Sequence, residues 1–277
     1  MMTGEKSMTI TYRRRFINME ETWGDGGVIS DNKRDISIQV HLLLEAPQKL
    51  ISIGNKETTS LDISVPNFLI DLRSDEANIF KKIHKSTRAD IRKATENDEI
   101  TYYGTDHPTG EQIKEFCMFY NLFAEKKGIA LCSLERLQEL RNHDALIMTV
   151  VRDKNSNILC ASMLLQDRCC SQLYGLYGVS ARLSTNSSKE RNKIGRANKF
   201  LQWKEIQLAR EKGFDWYNFG GEIHQEKDLG VNDFKRRFGA IRGFDRRIYT
   251  SRSLLGKMYV YLLYYKWKNI IPSMYRM

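Results

Sequence analysis

The chain has 277 residues, of which 41% are hydrophobic and 28% charged, values near globular averages that exclude a chain dominated by disorder. Its formal net charge of +10 favours anionic partners, whether nucleic acid, phosphorylated substrates or an anionic membrane surface. The 5 cysteines show no C-x-x-C spacing and the 5 histidines no H-E-x-x-H pattern, so reduced cysteines and no metal site are expected.

Residues 1–16 are polar and basic with no apolar h-region, and no stretch approaches the ~18 apolar residues of a membrane span. A cytoplasmic location follows as an expectation. Residues 36–42 alternate Ile36, Ile38, Val40 and Leu42 with Ser37, Gln39 and His41, the period of a half-buried strand. Shorter strands are expected at 49–53 and 68–72, with turn signals at 24–27 and at Gly54-Asn55. Ser74 is placed to cap a helix with Asp75 and Glu76 in its first turn. Thr87 restarts a helix in which Arg88 and Arg92, four apart, share a face.

From residue 100 the pattern is more regular. A short strand at 100–103 leads to the capping box Thr109–Gln112. Ile113, Phe116, Cys117, Tyr120, Phe123 and Ala124 then recur at helical spacing until Gly128 stops the helix. Ser133 caps a second helix carrying Leu134, Leu137 and Leu140. Three strands follow, at 146–152, 158–166 and 171–179, as an antiparallel meander. A polar loop is expected at 180–193 and a helix at 195–212, ended by Gly213. An aromatic strand at 214–219, a short helix at 233–238 and a strand at 244–250 complete the order. Tyr174 and Tyr177, an odd number of residues apart, are expected on opposite faces of their strand.

Two glycine-ended segments stand out: Trp216-Tyr217-Asn218-Phe219-Gly220-Gly221 and Phe234-Lys235-Arg236-Arg237-Phe238-Gly239. They resemble the Y-D-F-G-G and F-K-x-x-F-G segments of the Fem-type peptidoglycan-bridge aminoacyltransferases. The basic stretch 84–94 and Leu201-Gln202-Trp203 are similar to further parts of that family. The resemblance runs in pieces over roughly residues 75–250. It implies an α/β (α+β) GNAT-like acyltransferase fold, a mixed central sheet flanked by helices. Residues 1–98 would form a shortened β-rich N-terminal portion, 99–251 the catalytic domain and 252–277 a basic aromatic C-terminal helix. In place of the family's usual Asp stands Asn218, which keeps open a non-catalytic module that binds anionic ligands.

The resemblance implies transfer of an acyl or aminoacyl group to an amine, or a hydroxyl, of a cell-envelope or surface-polysaccharide precursor. An acyl-CoA-dependent N-acetyltransferase acting on a small amine or amino sugar is the alternative enzyme. Lys235, matching the family lysine, is the first candidate to stabilise developing negative charge, and is expected to do so without titrating; a surface lysine in a basic cluster is the other reading. Asn218 and Glu222 flank Gly220 and Gly221, glycines that permit positive φ and close approach to a ligand. Glu222 is a candidate base and Tyr177 a candidate acid, base or positioning group. Asn192–Ala197 is close to the R/Q-x-x-G-x-G/A loop that cradles the CoA pyrophosphate, with Gly195 and Arg196 as donor-binding candidates. Arg88, Arg92 and Arg236 are candidates for binding phosphate on a nucleotide-linked or lipid-linked acceptor. The donor is left open between an acyl-CoA and an aminoacyl-tRNA, with tRNA as a partner suited to the charge. Residues 253–277 carry Lys257, Lys266, Lys268 and Arg276 among aromatics and no acidic residue. They are read equally as a peripheral membrane contact or a packed terminal helix.

Overall fold

The computed structural model describes residues 7–24, 34–55, 58–222 and 229–270. His224, Arg276 and most of the turn at 24–27 lie outside the described residues. One 11-stranded mixed sheet organises them. Strands β1 (Met8–Arg14), β2 (Ile17–Trp23), β3 (Ile36–Leu43), β4 (Ile51–Asn55) and β5 (Thr59–Asp71) come first, followed by helices α1 (Glu76–Lys82) and α2 (Lys85–Asn97). Then come β6 (Ile100–Thr105), α3 (Gly110–Lys127), α4 (Leu134–Asn142), β7 (Leu146–Asp153), β8 (Ile158–Asp167) and β9 (Gln172–Ser180). The chain continues through α5 (Ser188–Glu211), β10 (Trp216–Gly221), α6 (Leu229–Arg236), β11 (Ile241–Ser251) and α7 (Leu254–Trp267).

The strand order is β1-β2-β3-β11-β5-β10-β9-β8-β7-β6, with β4 paired to β5 off this path. N-terminal β5 therefore sits between β11 and β10 at the middle of the sheet. The boundary expected at residue 98 is no boundary of the sheet, because C-terminal β11 pairs with both β3 and β5.

Local chemistry explains much of this. The Thr109 hydroxyl and the Gln112 amide side chain satisfy each other's backbone N–H groups at the start of α3, and Gly128 closes it with φ 64°. Ser133 caps α4 as expected. Asp75 rather than Ser74 caps α1, and His84 rather than Thr87 caps α2. The polar loop expected at 180–193 is largely helical: Ser187 caps α5 by accepting the Glu190 N–H, and the helix runs from Ser188.

Two cores lie on opposite faces of the sheet. One joins α3 and α4 to β1–β3 and to the inner residues of β7–β9; the other joins α1, α2 and α5 to the other face of the same strands. Helix α5 is anchored by wholly buried Glu205. Its carboxylate accepts hydrogen bonds from Thr149 Oγ1 at 2.6 Å, Tyr217 OH at 2.5 Å and Gln202 Nε2 at 3.0 Å. Burial pushes this carboxyl above its usual pKa, against those bonds.

Helix α7 closes a third cluster on β4 and β5, with Val260 fully buried. It can approach because residue 256 is glycine: a Cβ there would run into the Asp35 carbonyl oxygen. Helix propensity alone predicts that Gly256→Ala stabilises by about 1 kcal/mol. The packing predicts the opposite sign, a loss of about 1–3 kcal/mol. A fall in Tm with faster amide exchange across α7 is the expected result; a rise in Tm would contradict this docking.

Candidate functional site: a seam between two strands

Strand β10 pairs with β9 in parallel over three positions only, ending at Asn218 opposite Tyr174. Beyond it, no described strand pairs with the β10-facing edge of β9 from Gly175 to Ser180. Two glycines meet where the ladder ends. A side chain on Gly175 would start 3.3 Å from the Asn218 carbonyl oxygen, and one on Gly220 would start 3.2 Å from the Gly175 carbonyl oxygen. Gly220 also has φ +76°, which L side chains adopt with strain. The expected left-handed glycine is present, and backbone is what approaches it.

A buried polar chain holds this junction. Asn218, with no exposed surface, donates through Nδ2 to Gln172 Oε1 at 2.9 Å and Asp245 Oδ1 at 3.2 Å, while its Oδ1 accepts the Gly220 N–H at 2.8 Å. Asp245 also accepts from Asn67 Nδ2 at 2.5 Å and from the Tyr174 hydroxyl at 2.9 Å. Arg247 donates to that same hydroxyl at 3.0 Å. Burial first, and then the Asp245 charge, push the Tyr174 phenol up. A carboxylate is therefore present beside position 218, supplied by β11. An Asp at 218 would set two carboxylates against each other.

The aromatics of the two glycine-ended segments form one stack: Tyr217 on Phe219 at 4.9 Å, Phe219 on Phe238 at 5.5 Å and Phe238 on Phe234 at 5.2 Å between ring centroids. This packing carries Lys235 under the end of β10. Its Nζ donates to the carbonyls of Gly220 at 3.2 Å and Gly221 at 2.7 Å. Burial lowers its pKa to about 8, against the pull of Asp245 and Glu222. The expectation of a non-titrating cation is corrected: this ammonium changes charge within the working range of most enzymes.

Glu222 is not placed as a free base. Its oxygens accept from Arg236 at 3.0 Å and Arg242 at 2.9 Å, so Arg236 is occupied by the same clamp. Arg88 donates to the Lys81 carbonyl at 2.6 Å, and Arg92 lies over the Phe80 ring at 5.8 Å in a separate groove on α2 and α5. Neither joins the seam. Gly195 and Arg196 lie inside α5, where the backbone amides serve the helix; no pyrophosphate loop exists at 192–197. Arg196 instead makes a two-point ion pair with Asp98, both contacts at 2.7 Å.

A cavity flanks the seam on each face. On the α5 side an opening of about 400 Å³ is bordered by Ser180, Arg182, Arg191, Gly195 and Phe234. Arg182 is exposed there, while Lys199 is paired with Asp90. On the other side a cavity of about 190 Å³ is lined by Tyr12, Glu21, Arg136, Tyr174, Tyr177 and Arg247, among others. Tyr174 and Tyr177 face it together, contrary to the alternation expected, because β9 bulges at Leu176: Met163 pairs with Tyr177 but Leu164 with Gly175. The Tyr177 hydroxyl accepts the Ser133 N–H at 3.5 Å. Buried Glu21 takes bonds from Arg136 at 2.6 and 2.9 Å, Tyr12 at 2.9 Å and Trp23 at 2.7 Å. Burial opposes its charge, yet Arg136 and these donors hold the carboxyl below its usual pKa.

Sequence reasoning missed Asp245, Arg247, Glu21 and Arg136. A weak signal existed for the first two: Asp245 and Arg247, spaced by two in the strand at 244–250, share one sheet face. Among the described residues no group of three or more His, Cys, Asp or Glu side chains converges to hold a metal.

No known family model matches the chain, and no curated protein matches it by sequence. Among solved structures, FemX superposes with a TM-score of 0.51 at 15% identity, covering 65% of this chain and 61% of that one. A conserved protein of unknown function from Bacteroides thetaiotaomicron gives 0.51 at 9% identity over 88% of this chain and 83% of its own. L-PGS from Bacillus licheniformis gives 0.46 at 12% over 74% and 66%. At these identities the fold alone is what is shared, a GNAT-like α/β fold like that of FemX. The chain spans less than two thirds of FemX.

Replacing Asn218 by Asp should destabilise the protein by about 3–5 kcal/mol at neutral pH, the scale of an uncompensated buried charge. The new carboxyl would have a folded pKa above its unfolded one, so stability falls as pH rises through the folded value. The Tm deficit of Asn218→Asp is therefore smaller at pH 5 than at pH 8. An equal deficit at both would contradict the Asn218–Asp245 contact.

Proposed function

We propose that this chain is an acyl- or aminoacyltransferase that uses a phosphate-bearing donor, an acyl-CoA or an aminoacyl-tRNA, and acts on an amine or hydroxyl of a cell-envelope or surface-polysaccharide precursor. The single observation that carries this reading is the edge of β9 from Gly175 to Ser180, which no strand among the described residues pairs and which ends beside a basic cavity. Backbone N–H and C=O groups on such an edge call for partners. The amide-bearing arm of an acyl-CoA can supply them, with its phosphates beside Arg182 and Arg191 and its carbonyl toward Gly175 and Gly220; an aminoacyl-tRNA would set its terminal phosphates there and its ester carbonyl at the same glycines. The acceptor would enter from the tyrosine-lined cavity on the opposite face.

In this reaction a neutral acceptor nitrogen attacks the donor carbonyl carbon. A C–N bond forms, the C–S or C–O bond to the carrier breaks, and the acceptor's proton passes to the leaving group or solvent. Negative charge grows on the carbonyl oxygen, and Lys235, when protonated, supplies positive charge to the glycine turn at the seam. Asp245 supports this reading over a non-catalytic module, because a carboxylate from β11, one strand beyond β5, stands beside position 218.

Lys235→Ala should lower turnover at least a hundredfold in an assay of thiol release or aminoacyl transfer, with the fold retained. Lys235→Arg separates charge from proton transfer. Wild-type kcat/KM should gain a descending limb above pH 8 that the arginine variant lacks. Full turnover of Lys235→Ala, or the same descending limb in both proteins, would remove Lys235 from the chemistry.

Helix α7 adds a proposed membrane contact. Leu254, Met258, Leu262 and Tyr265, 78, 59, 68 and 60% exposed, follow one another along one helix face. Lys257, Lys266 and Lys268 accompany them. Among the described residues no helix is long and apolar enough to cross a membrane, and an apolar stripe with basic neighbours suits an anionic surface. The protein should sediment with phosphatidylglycerol vesicles and not with phosphatidylcholine vesicles, and Met258→Glu/Leu262→Glu should abolish this. Equal sedimentation of wild type and variant would contradict it.

A further inference from the structure

The cavity on the α3/α4 face of the seam carries more charge than its own residues neutralise. Three arginines line it: Arg14, which is exposed and donates to the Tyr259 hydroxyl at 3.5 Å, and the more deeply placed Arg136 and Arg247. Arg136 is matched: it grips Glu21 through Nε and NH2, and the remaining bonds to that carboxylate come from Tyr12 and Trp23. Glu21 thus has no oxygen left without a donor.

Arg247 is matched only at long range. Its NH2 group donates to the Tyr174 hydroxyl at 3.0 Å, and its nearest carboxylate, Asp245, stands 4.0 Å away and is engaged by Asn67, Asn218 and Tyr174. Its Nε is buried with no hydrogen-bond partner among the described residues. Yet the side chain is 36% exposed, and the surface it exposes borders the cavity. A guanidinium with unused donors at the wall of an open cavity suits an anion, and its planar fork suits a carboxylate.

Size and surroundings narrow the ligand. The cavity of about 190 Å³ holds roughly six water-sized groups, the scale of a small amino acid. Ile38, Val40 and Leu176 give it apolar wall, and the hydroxyls of Tyr177, Tyr249 and Tyr259 border the rest. The anchor is also close to the seam. The Tyr174 hydroxyl that Arg247 holds lies 3.7 Å from where a side chain on Gly220 would begin. A carboxylate seated on Arg247 leaves the other end of a short molecule within reach of a carbonyl delivered along β9.

Building on the transferase reading, we propose that this cavity is the acceptor subsite and that it takes a carboxylate-bearing amine of the size of a free amino acid, with Arg247 holding the carboxylate. The specificity of the reaction then rests on β11, a strand outside the two glycine-ended segments.

Calorimetric titration of the wild-type protein with L-alanine and L-serine, and with their C-terminal amides, tests this directly. The amino acids should bind, and the amides should bind at least tenfold more weakly, the loss of a charge-assisted pair (about 1.4 kcal/mol). Arg247→Gln should erase the difference between acid and amide, and Arg247→Lys should keep part of it. The comparison of acid with amide on the wild-type protein stands even if the Arg247 variants do not fold. Failure of both amino acids to bind, equal binding of acids and amides, or undiminished binding to Arg247→Gln would overturn the proposal. Binding needs no donor and no turnover. A chain that binds amino acids but transfers nothing keeps the subsite and loses the transferase reading. One that transfers to acceptors lacking a carboxylate loses the subsite alone.

Discussion

The side-chain amide of Asn218 is the constraint on which the rest of this architecture depends. It lies at the last rung of the β9–β10 ladder and reaches Gln172 on β9, Asp245 on β11 and its own strand's Gly220 amide. An amide can do this because it donates and accepts at once. A carboxylate at the same place could accept the Gly220 bond but not donate to Asp245. The charge at this junction is divided accordingly: the acid sits on β11, and its neutral partner sits on β10. Wholly buried polar groups of this kind are tolerated only when their bonds are made. Here they set how β10 ends and how the glycine turn beyond it is shaped.

From that junction the two faces of the sheet take different roles. Toward α5, the edge of β9 from Gly175 to Ser180 leads to a basic opening beside Arg182 and Arg191. Toward α3 and α4, the bulge at Leu176 turns Tyr174 and Tyr177 together into a cavity closed by the N-terminal strands. Lys235 joins the system from α6; its Nζ donates to two carbonyls, and burial lowers its pKa. The N-terminal strands are integral to the site: Tyr12, Glu21 and Trp23 form one wall of the cavity, and Asn67 braces Asp245. A shortened N-terminal portion is in this sense part of one sheet with the region that resembles the transferases.

Local signals were legible and long-range ones were not. The Thr109 capping box, the Ser133 cap, the α3 stripe and the meander at 146–179 are written in adjacent residues, and they stand where periodicity puts them. The start of α5 was hidden because residues 188–193 carry no apolar stripe, so a capped but solvated first turn reads as loop. Strand β2 was hidden for the opposite reason: Glu20, Glu21 and Thr22 are polar yet buried, which breaks the alternation a half-buried strand shows; β1 does alternate, Met8, Ile10 and Tyr12 with Thr9 and Thr11. The two-faced placement of Tyr174 and Tyr177 failed on a single bulged residue. The Glu21–Arg136 pair joins positions 115 residues apart, and nothing local announces such a pairing. The glycine-ended segments pointed to the right place while hiding its partners, because their partners lie on β5, β9 and β11.

The central claim is that a donor runs along the edge of β9 from Gly175 to Ser180 and presents its carbonyl at the Gly175–Gly220 contact. Hydrogen–deuterium exchange of the protein with saturating acetyl-CoA, and separately with an aminoacylated tRNA, reads this edge directly. The account predicts that one of these donors slows exchange across residues 175–180, and that neither free adenine nor uncharged tRNA does so to the same degree. Unchanged exchange over 175–180 with both donors, despite measurable binding elsewhere on the protein, would contradict it.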